Sequence, residues 1–438
     1  MNVMGIDIGT TSISIVLVDD GTKELTARRT LNHSSFLPGR SSQEKIQDPE
    51  CIWKIVKETM EDLIDEFGSP SGIGLTGQMH GMLYVDKEGN AVSPLYTWQD
   101  ARGGFPLKDN KSSVELLKEK VGMAAAGYGL ATHFYLQETG QIPEEAVKMT
   151  TISDYIGMKL CGSKKPVMGI DMAASWGCFD LKKKEFLYDD LQKAGVDISY
   201  LPEVYKEHVL IGNTLDDIPV MVSIGDNQAS VLGSVTSLSD TVLINVGTGS
   251  QVSFASEEYV DCHGSMELRP CTKDSYILVG SSLCGGRAYA MLEQFYREVT
   301  GKEEEAYYDK MYEQAEKFLQ EVGLHEAWKV RTTFSGSRNN PEERGSIENI
   351  GIENFHPGAM TVGVIEGILR ELYEQYEKMC SLTGKRADKL VGSGNGLRRN
   401  KLMQKIAEEM FEMKLTIPQY EEEAAYGSAL CVINLIGE

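Results

Sequence analysis

One hairpin occurs twice. Asp7-Ile8-Gly9-Thr10-Thr11-Ser12, at the start of the chain, aligns with Asn245-Val246-Gly247-Thr248-Gly249-Ser250, past its middle. Apolar residues lead into both copies. From Ser12 to Val18 polar and apolar residues alternate, as a half-buried strand requires. A third strand is expected after each hairpin, over residues 22–31 and again over 276–279. Two halves that open on the same strand, Gly-Thr turn and strand imply a duplicated fold. The expectation is therefore two α/β domains, 1–234 and 235–438, with the boundary near residues 234–240. At 438 residues the chain is long enough for each half to bury its own core.

A second feature lies just before that boundary. The apolar run Val220-Met221-Val222 leads into Ser223-Ile224-Gly225-Asp226-Asn227-Gln228, and small residues follow to Ser234. This reads as a buried strand, a glycine turn and the first turn of a helix. Ligands of α/β sheets sit outside the carboxyl ends of the strands. Asp226 at such a junction either caps the helix or serves there as a general base.

The bulk properties exclude several classes. Acidic residues number 65 against 43 basic ones, a net charge of -22, which argues against a nucleic-acid or anionic-membrane partner. An anionic substrate would need local arginines, backbone amides or a metal. The eight cysteines show no CxxC pair or metal-ligand spacing and are expected as free thiols in a reducing compartment. No signal peptide and no apolar run of spanning length is evident, so a cytoplasmic protein is expected. A homodimer stays open.

Helical periodicity runs from Cys51 to Phe67, from Ser281 to Thr300, after His356-Pro357-Gly358, from about Asn400 to Met413 and over residues 421–436. In the Gly- and Ala-rich stretch 120–180, Tyr128, His133, Tyr155 and Trp176 read as exposed and as candidate pocket walls. Glycine turns follow strands at Gly9, Gly77, Gly225, Gly247 and Gly392. The amides freed at such turns form anion-binding concavities. Two matched turns, one per half, suit a nucleotide triphosphate. There is no G-x-x-x-x-G-K-[ST] loop, and no G-x-G-x-x-G follows a first strand. Asp7, ending the first strand beside such a turn, either stabilises the turn or holds Mg²⁺, which takes one or two carboxylates plus phosphate oxygens.

These residues resemble the FGGY carbohydrate kinases. The shared segments are Gly5 to Thr11, Gly77-Gln78-Met79-His80-Gly81, Gly225-Asp226-Asn227, Gly247-Thr248-Gly249, Gly392 to Asn400 and Glu423 to Ala429. Segments 97–102, 127–132 and 173–177 look like the sedoheptulokinase branch, while Gln-Met-His-Gly is also found in xylulokinases. The resemblance implies two ribonuclease H-like domains of the actin and Hsp70 ATPase type, with the active site in the cleft between them. The first would bind sugar and carry the base; the second would bind ATP. It implies ATP- and Mg²⁺-dependent phosphorylation of a ketose at its terminal hydroxyl. By position, Asp226 corresponds to the catalytic base and Asp7 to the metal-side aspartate. Thr10, Thr11, Gly247 and Thr248 correspond to the phosphate turns, and Gly392, Gly394 and Asn395 to the adenosine side. Gln78, Met79, His80, Trp98, Asp100, Arg102 and Asn227 correspond to the sugar side. The chain departs from the family at Gly249, where many relatives carry Ser or Thr, and at Asn395, where relatives often carry Gly or Ala.

Overall fold

The computed structural model describes residues 1–437, apart from 108, 109, 263, 265, 273, 274, 302, 303, 337–339 and 341. Val3, Met4, Ile6 and Ile8 are all fully buried, so the first strand has protein on both faces and lies inside a sheet. It is β1, Asn2–Ile8. It pairs antiparallel with β2, Ser12–Asp19, which pairs antiparallel with β3, Leu25–Asn32. The expected three-strand meander is present. On its other side β1 runs parallel to Ile73–Gly77, with Asp7 opposite Thr76. The strand Ile73–Gly77 pairs in turn with Pro219–Met221 and with the two-residue strand Ile224–Gly225.

Helices cover both faces of this sheet. Ile6, Ile8, Ile13 and Ile15 pack with Ile52, Val56 and Leu63 of the helix Pro49–Phe67. That helix begins where the Asp48 side chain accepts from the backbone N–H groups of Glu50 and Cys51, with Pro49 in its first turn. On the opposite face, Val3, Val16 and Val18 meet Ala229 of the helix Asp226–Ser234 and Ala425, Ala429 and Val432 of the last helix, Glu423–Gly437. The last helix lies almost in van der Waals contact with the strands. A β-carbon on Gly5 would stand 1.9 Å from the Ala425 carbonyl oxygen, and one on Gly74 2.2 Å from that of Ser428. The two helices of this face also touch through glycine: a β-carbon on Gly427 would stand 1.9 Å from the Ala229 carbonyl oxygen.

The chain accordingly does not divide at a single point. One compact unit comprises Met1–Gly233, Arg269–Ser275 and Glu422–Glu438; the other comprises Ser234–Leu268 and Tyr276–Glu421. This differs from the expected split at 234 for the segment 269–275 and for the last helix. The last helix follows its glycine-matched sheet face back to the first unit.

Within the second unit the strands Ser275–Ser282, Ser250–Ser256, Thr241–Val246, Lys389–Ser393 and Leu415–Thr416 lie side by side in that order. Thr241–Val246 is antiparallel to Ser250–Ser256 and parallel to Lys389–Ser393, as β1 is to β2 and to Ile73–Gly77. The repeat seen in the sequence is a repeat of sheet topology. Its core gathers Val242, Ile244 and Val246 with Ile365, Leu369 and Leu372 of the 27-residue helix Pro357–Thr383.

A further core of the first unit corrects one expectation. His133, Tyr155 and Trp176 are fully buried, not exposed. Each has its polar atom satisfied internally, which removes the cost of burial. His133 Nδ1 accepts from the Tyr84 hydroxyl at 2.6 Å, and its Nε2–H donates to the Asp197 carbonyl at 3.0 Å. Trp176 Nε1–H donates to the Gly81 carbonyl at 3.0 Å, and the Tyr155 hydroxyl donates to Glu50. Burial drops the His133 pKa to about 4, so this ring is neutral. Tyr128 alone of the four keeps partial exposure. All eight cysteines are free.

Candidate active site

The strand Ile224–Gly225 passes directly into the helix Asp226–Ser234, so Asp226 stands at a strand-to-helix junction, as expected. Asp7 stands near it, at the end of β1. Burial, with the Asp226 charge adding, pushes the Asp7 carboxyl up to about 7. Burial pushes Asp226 up to about 6, while the Arg269 charge and the Asn227 backbone N–H hold it down. Two partly buried carboxylates that repel one another, beside glycine turns, make a site poised for a cation or a proton.

The duplicated hairpin shows what is special here. Asn245 aligns with Asp7, and Ser393, opposite Asn245 in the paired strand, takes the place of Thr76. In the second unit Asn245 Nδ2–H donates to Ser393 Oγ at 2.7 Å, and the pair is closed. In the first unit Asp7 Oδ1 and Thr76 Oγ1 are both enclosed and neither has a hydrogen-bond partner. A buried polar atom left unpaired costs about 1–3 kcal/mol, so this pair awaits a ligand. Asp7 with Thr76 fits a hard cation on the donor chemistry. Among the described residues no group of three or more His, Cys, Asp or Glu could hold a metal ion by itself. Mg²⁺ is a hard cation of the kind Asp7 and Thr76 fit, taking few protein ligands and completing its shell with phosphate oxygens and water.

The residues expected on the sugar side fall into two groups. In the first, the Gln78 N–H donates to the Ile8 carbonyl, next to Asp7, at 2.9 Å, and Asn227 adjoins Asp226. Gln78 Nε2–H donates to Gln47 Oε1 at 2.9 Å, and Gln47 Nε2–H donates to the Thr10 carbonyl at 2.7 Å, tying the sugar side to the first Gly-Thr turn. Gln78 Oε1 and Asn227 Oδ1 are enclosed and unpaired. Met79 packs under the base turn, 2.8 Å from where a Gly225 β-carbon would be. His80 has a left-handed backbone, φ 73°, and stacks flat on Tyr128 at 4.5 Å. Such a conformation is strained for a non-glycine residue and is held in place by its neighbours. Trp98 is 47% exposed, and its Nε1–H donates to Thr10 Oγ1 at 3.0 Å. Thr11 is exposed at the same turn.

Asp100 and Arg102 are different. Asp100 is fully buried and accepts Arg102 Nε–H at 2.6 Å, Arg102 Nη2–H at 3.0 Å and the Lys45 backbone N–H at 2.9 Å. Arg102 also lies over the Tyr96 ring at 4.3 Å. Their polar atoms are largely spent on one another, so they brace the segment that carries Trp98. Gln47, Thr76 and Arg269 join the site without any signal in the sequence, because each is brought there by sheet pairing or by chain return; Ser175 lies in segment 173–177, which the family resemblance marks.

The second unit holds a cavity of about 710 Å³ lined by Gly247 and Thr248 of its Gly-Thr turn, Asn395, Gly396, Arg287 and Arg399. Tyr289 and Tyr308, also at this cavity, stack at 5.7 Å. Neither Arg287 nor Arg399 has a side-chain ion pair or hydrogen bond among the described residues. Gly392 and Gly394 do not line the cavity; they shape the turn beside it. Gly394 has φ 83° and would bring a β-carbon within 2.5 Å of the Val246 carbonyl oxygen, so only glycine fits.

A family model described as the FGGY family of carbohydrate kinases, N-terminal domain, matches residues 2–246, and the C-terminal domain of the same family matches residues 242–433. A sedoheptulokinase of Mus musculus is 28% identical over 480 aligned residues, covering 98% of this chain and 97% of its own length. A xylulose kinase of Staphylococcus xylosus is 25% identical and covers 100% of this chain and 91% of its own. Among solved structures, the xylulose kinase from Rhodospirillum rubrum matches with a TM-score of 0.86 at 19% identity, over 100% of this chain and 90% of that one; the likeness is one of fold.

Proposed function

The chain belongs to the FGGY family of carbohydrate kinases, and from that premise we propose that it phosphorylates sedoheptulose at its terminal hydroxyl, with ATP as donor and sedoheptulose 7-phosphate as product. It is a sugar kinase of mixed α/β, actin and Hsp70 type fold that binds a sugar and ATP and transfers phosphate. Sedoheptulose as acceptor is supported by the full-length likeness to the mouse sedoheptulokinase. The observation that best supports the chemistry is the contrast between the open Asp7–Thr76 pair and its closed counterpart, Asn245–Ser393.

Phosphoryl transfer has a loose transition state, so the protein's part is positioning and charge. Asp226, ionised, accepts the proton of the terminal hydroxyl as that oxygen bonds to the γ-phosphorus. The bond from phosphorus to the bridging oxygen breaks and ADP leaves. Gln78, His80 and Asn227 orient the sugar. The amide at Thr248, with Arg287 and Arg399, holds the nucleotide phosphates at the Gly247 turn, and the Tyr289–Tyr308 pair offers an apolar wall for the base. Asp7 with Thr76 would hold Mg²⁺, whose charge would offset that of the phosphates.

The test is ADP release from ATP with Mg²⁺ against sedoheptulose, D-xylulose, D-ribulose, L-ribulose, D-fructose and glycerol. Strong stimulation by sedoheptulose alone supports the proposal. Xylulose is the second reading, on the strength of the Staphylococcus xylosus relative, and stimulation by xylulose alone would replace the acceptor while keeping the mechanism. A rate indifferent to every sugar would favour an actin- or Hsp70-like ATPase. In the same assay Asp226→Ala should lose roughly 10² to 10⁴ of the turnover, the range for a general base. Retention of more than about a third would remove Asp226 from that role.

A further inference from the structure

The helix Ile170–Ser175 is only six residues long, yet it holds two separate pieces of the site. Asp171 Oδ2 accepts the N–H of Gly225, the residue before Asp226, at 2.7 Å. Its Oδ1 accepts the backbone N–H of Met172 at 2.9 Å. Four residues on, and so on the same side of the helix, Ser175 Oγ accepts the backbone N–H of His80 at 3.0 Å. The Ser175 carbonyl accepts His80 Nδ1–H at 2.6 Å. Asp171 is 1% exposed and Ser175 6%, so water does not compete for these bonds.

The surroundings leave little freedom. A β-carbon on Gly169 would lie 2.8 Å from Asp171 Oδ1, so the carboxylate is seated against bare backbone. Met79 closes the far side of Gly225. Two residues earlier on the base turn, Ser223 Oγ–H donates to Asp154, whose other oxygen accepts from Thr151 Oγ1 at 2.6 Å. The turn is thus gripped at alternate residues by two buried acids. A carboxylate is a costly group to bury unless its hydrogen bonds are needed, and bonds of backbone N–H to an ionised oxygen are the stronger kind. Both bonds that Asp171 makes end on backbone N–H groups, one of them adjoining Asp226.

We infer that Asp171 is a positioning residue for phosphoryl transfer, and that the helix Ile170–Ser175 fixes the separation between Asp226 and His80. The inference rests on the reading of Asp226 as the base. Misplacing a reacting group by about 1 Å costs on the order of 10²-fold in rate. A link from base to acceptor side through one rigid turn prevents such drift.

The experiment is steady-state kinetics on full-length variants, with calorimetric ADP binding as the measure of intact protein. Asp171→Ala should lower kcat by roughly 10²-fold while the ADP Kd stays within about threefold of wild type. Asp171→Asn keeps one oxygen for the Gly225 N–H and should recover roughly tenfold or more of the loss. Ser175→Ala should raise the sugar KM more than it lowers kcat. An Asp171→Ala protein that binds ADP normally and keeps more than about half of the kcat overturns the inference. So does an Asn variant no better than Ala, since acceptor chemistry would then be irrelevant. If Asp171→Ala fails to fold, Asp171→Glu decides, because it displaces the carboxylate by one methylene without removing it. Loss of roughly tenfold in kcat with ADP binding kept supports the inference, and an unchanged kcat sinks it. Asp226→Ala is run alongside. Full turnover there defeats the base assignment itself, whereas loss there with no effect at Asp171 defeats only the positioning role.

Discussion

Asp7 and Asn245 sit at matching places in two matching hairpins, and the difference between a carboxylate and an amide separates a reactive pair from a closed one. The pKa of Asp7 makes this measurable. An ordinary aspartate titrates near 3.8, and burial with the Asp226 charge raises Asp7 to about 7. Below pH 3.8 the folded and unfolded chains both hold this proton. Between the two values only the folded chain does, so stability falls as pH rises through that window, and the deficit is complete above about 7. Asp7→Asn removes the deficit. Without ligands the variant should melt on the order of 2 °C or more above wild type at pH 8, and level with it near pH 4. It should also lose turnover. Equal melting at both pH values would show that Asp7 carries no such burden. Asp226 gives a kinetic counterpart. The base must be ionised to accept a proton, so kcat/KM should rise with pH through about 6, where burial has moved this group. A profile flat from pH 5 to 8 would contradict the assignment.

Among the elements, the helix Glu423–Gly437 depends most on residues too small to attract notice. Gly427→Ala would press a methyl into the Ala229 carbonyl, in the helix that carries Asp226. Overpacking of this kind costs about 1–3 kcal/mol, so the melting temperature should drop by roughly 3 °C or more, and kcat should fall with it. An unchanged melt would mean the helices separate freely. The same helix shows where sequence stops being informative. Its periodicity and approximate ends are legible, but an apolar face does not say which sheet it covers. The hairpins were legible because alternation and Gly-Thr turns are local. The junction at Asp226 was legible for the same reason. Gln47 and Asp171 were not, since each acts on a partner far away in the chain, and Ser175 was marked only by the family resemblance of its segment. His133, Tyr155 and Trp176 misled because aromatic residues with polar tips suit a pocket wall and a satisfied core equally well.

For the molecule as a whole, a net charge of -22 repels nucleotides, so any affinity for them must be made locally. Arg287 and Arg399, unpaired among the described residues and beside the cavity of the second unit, are groups available for it. Replacing both with Ala should weaken ADP binding by roughly tenfold or more and make what remains less sensitive to salt. Calorimetry at two ionic strengths checks both effects, and an unaltered Kd would place the phosphates elsewhere. No helix among the described residues is long and apolar enough to cross a membrane. The path of the chain carries one more consequence. β1 opens the molecule, yet one face of its sheet is covered by residues 423–437. During synthesis that face must stay bare until residues 423–437 have been made, while the second unit already has its sequence in hand. The half that begins first is finished last. A nascent chain halted before residue 422 would expose Val3, Val16 and Val18 to chaperones or to its neighbours, so that uncovered surface marks a chain lacking this helix for quality control.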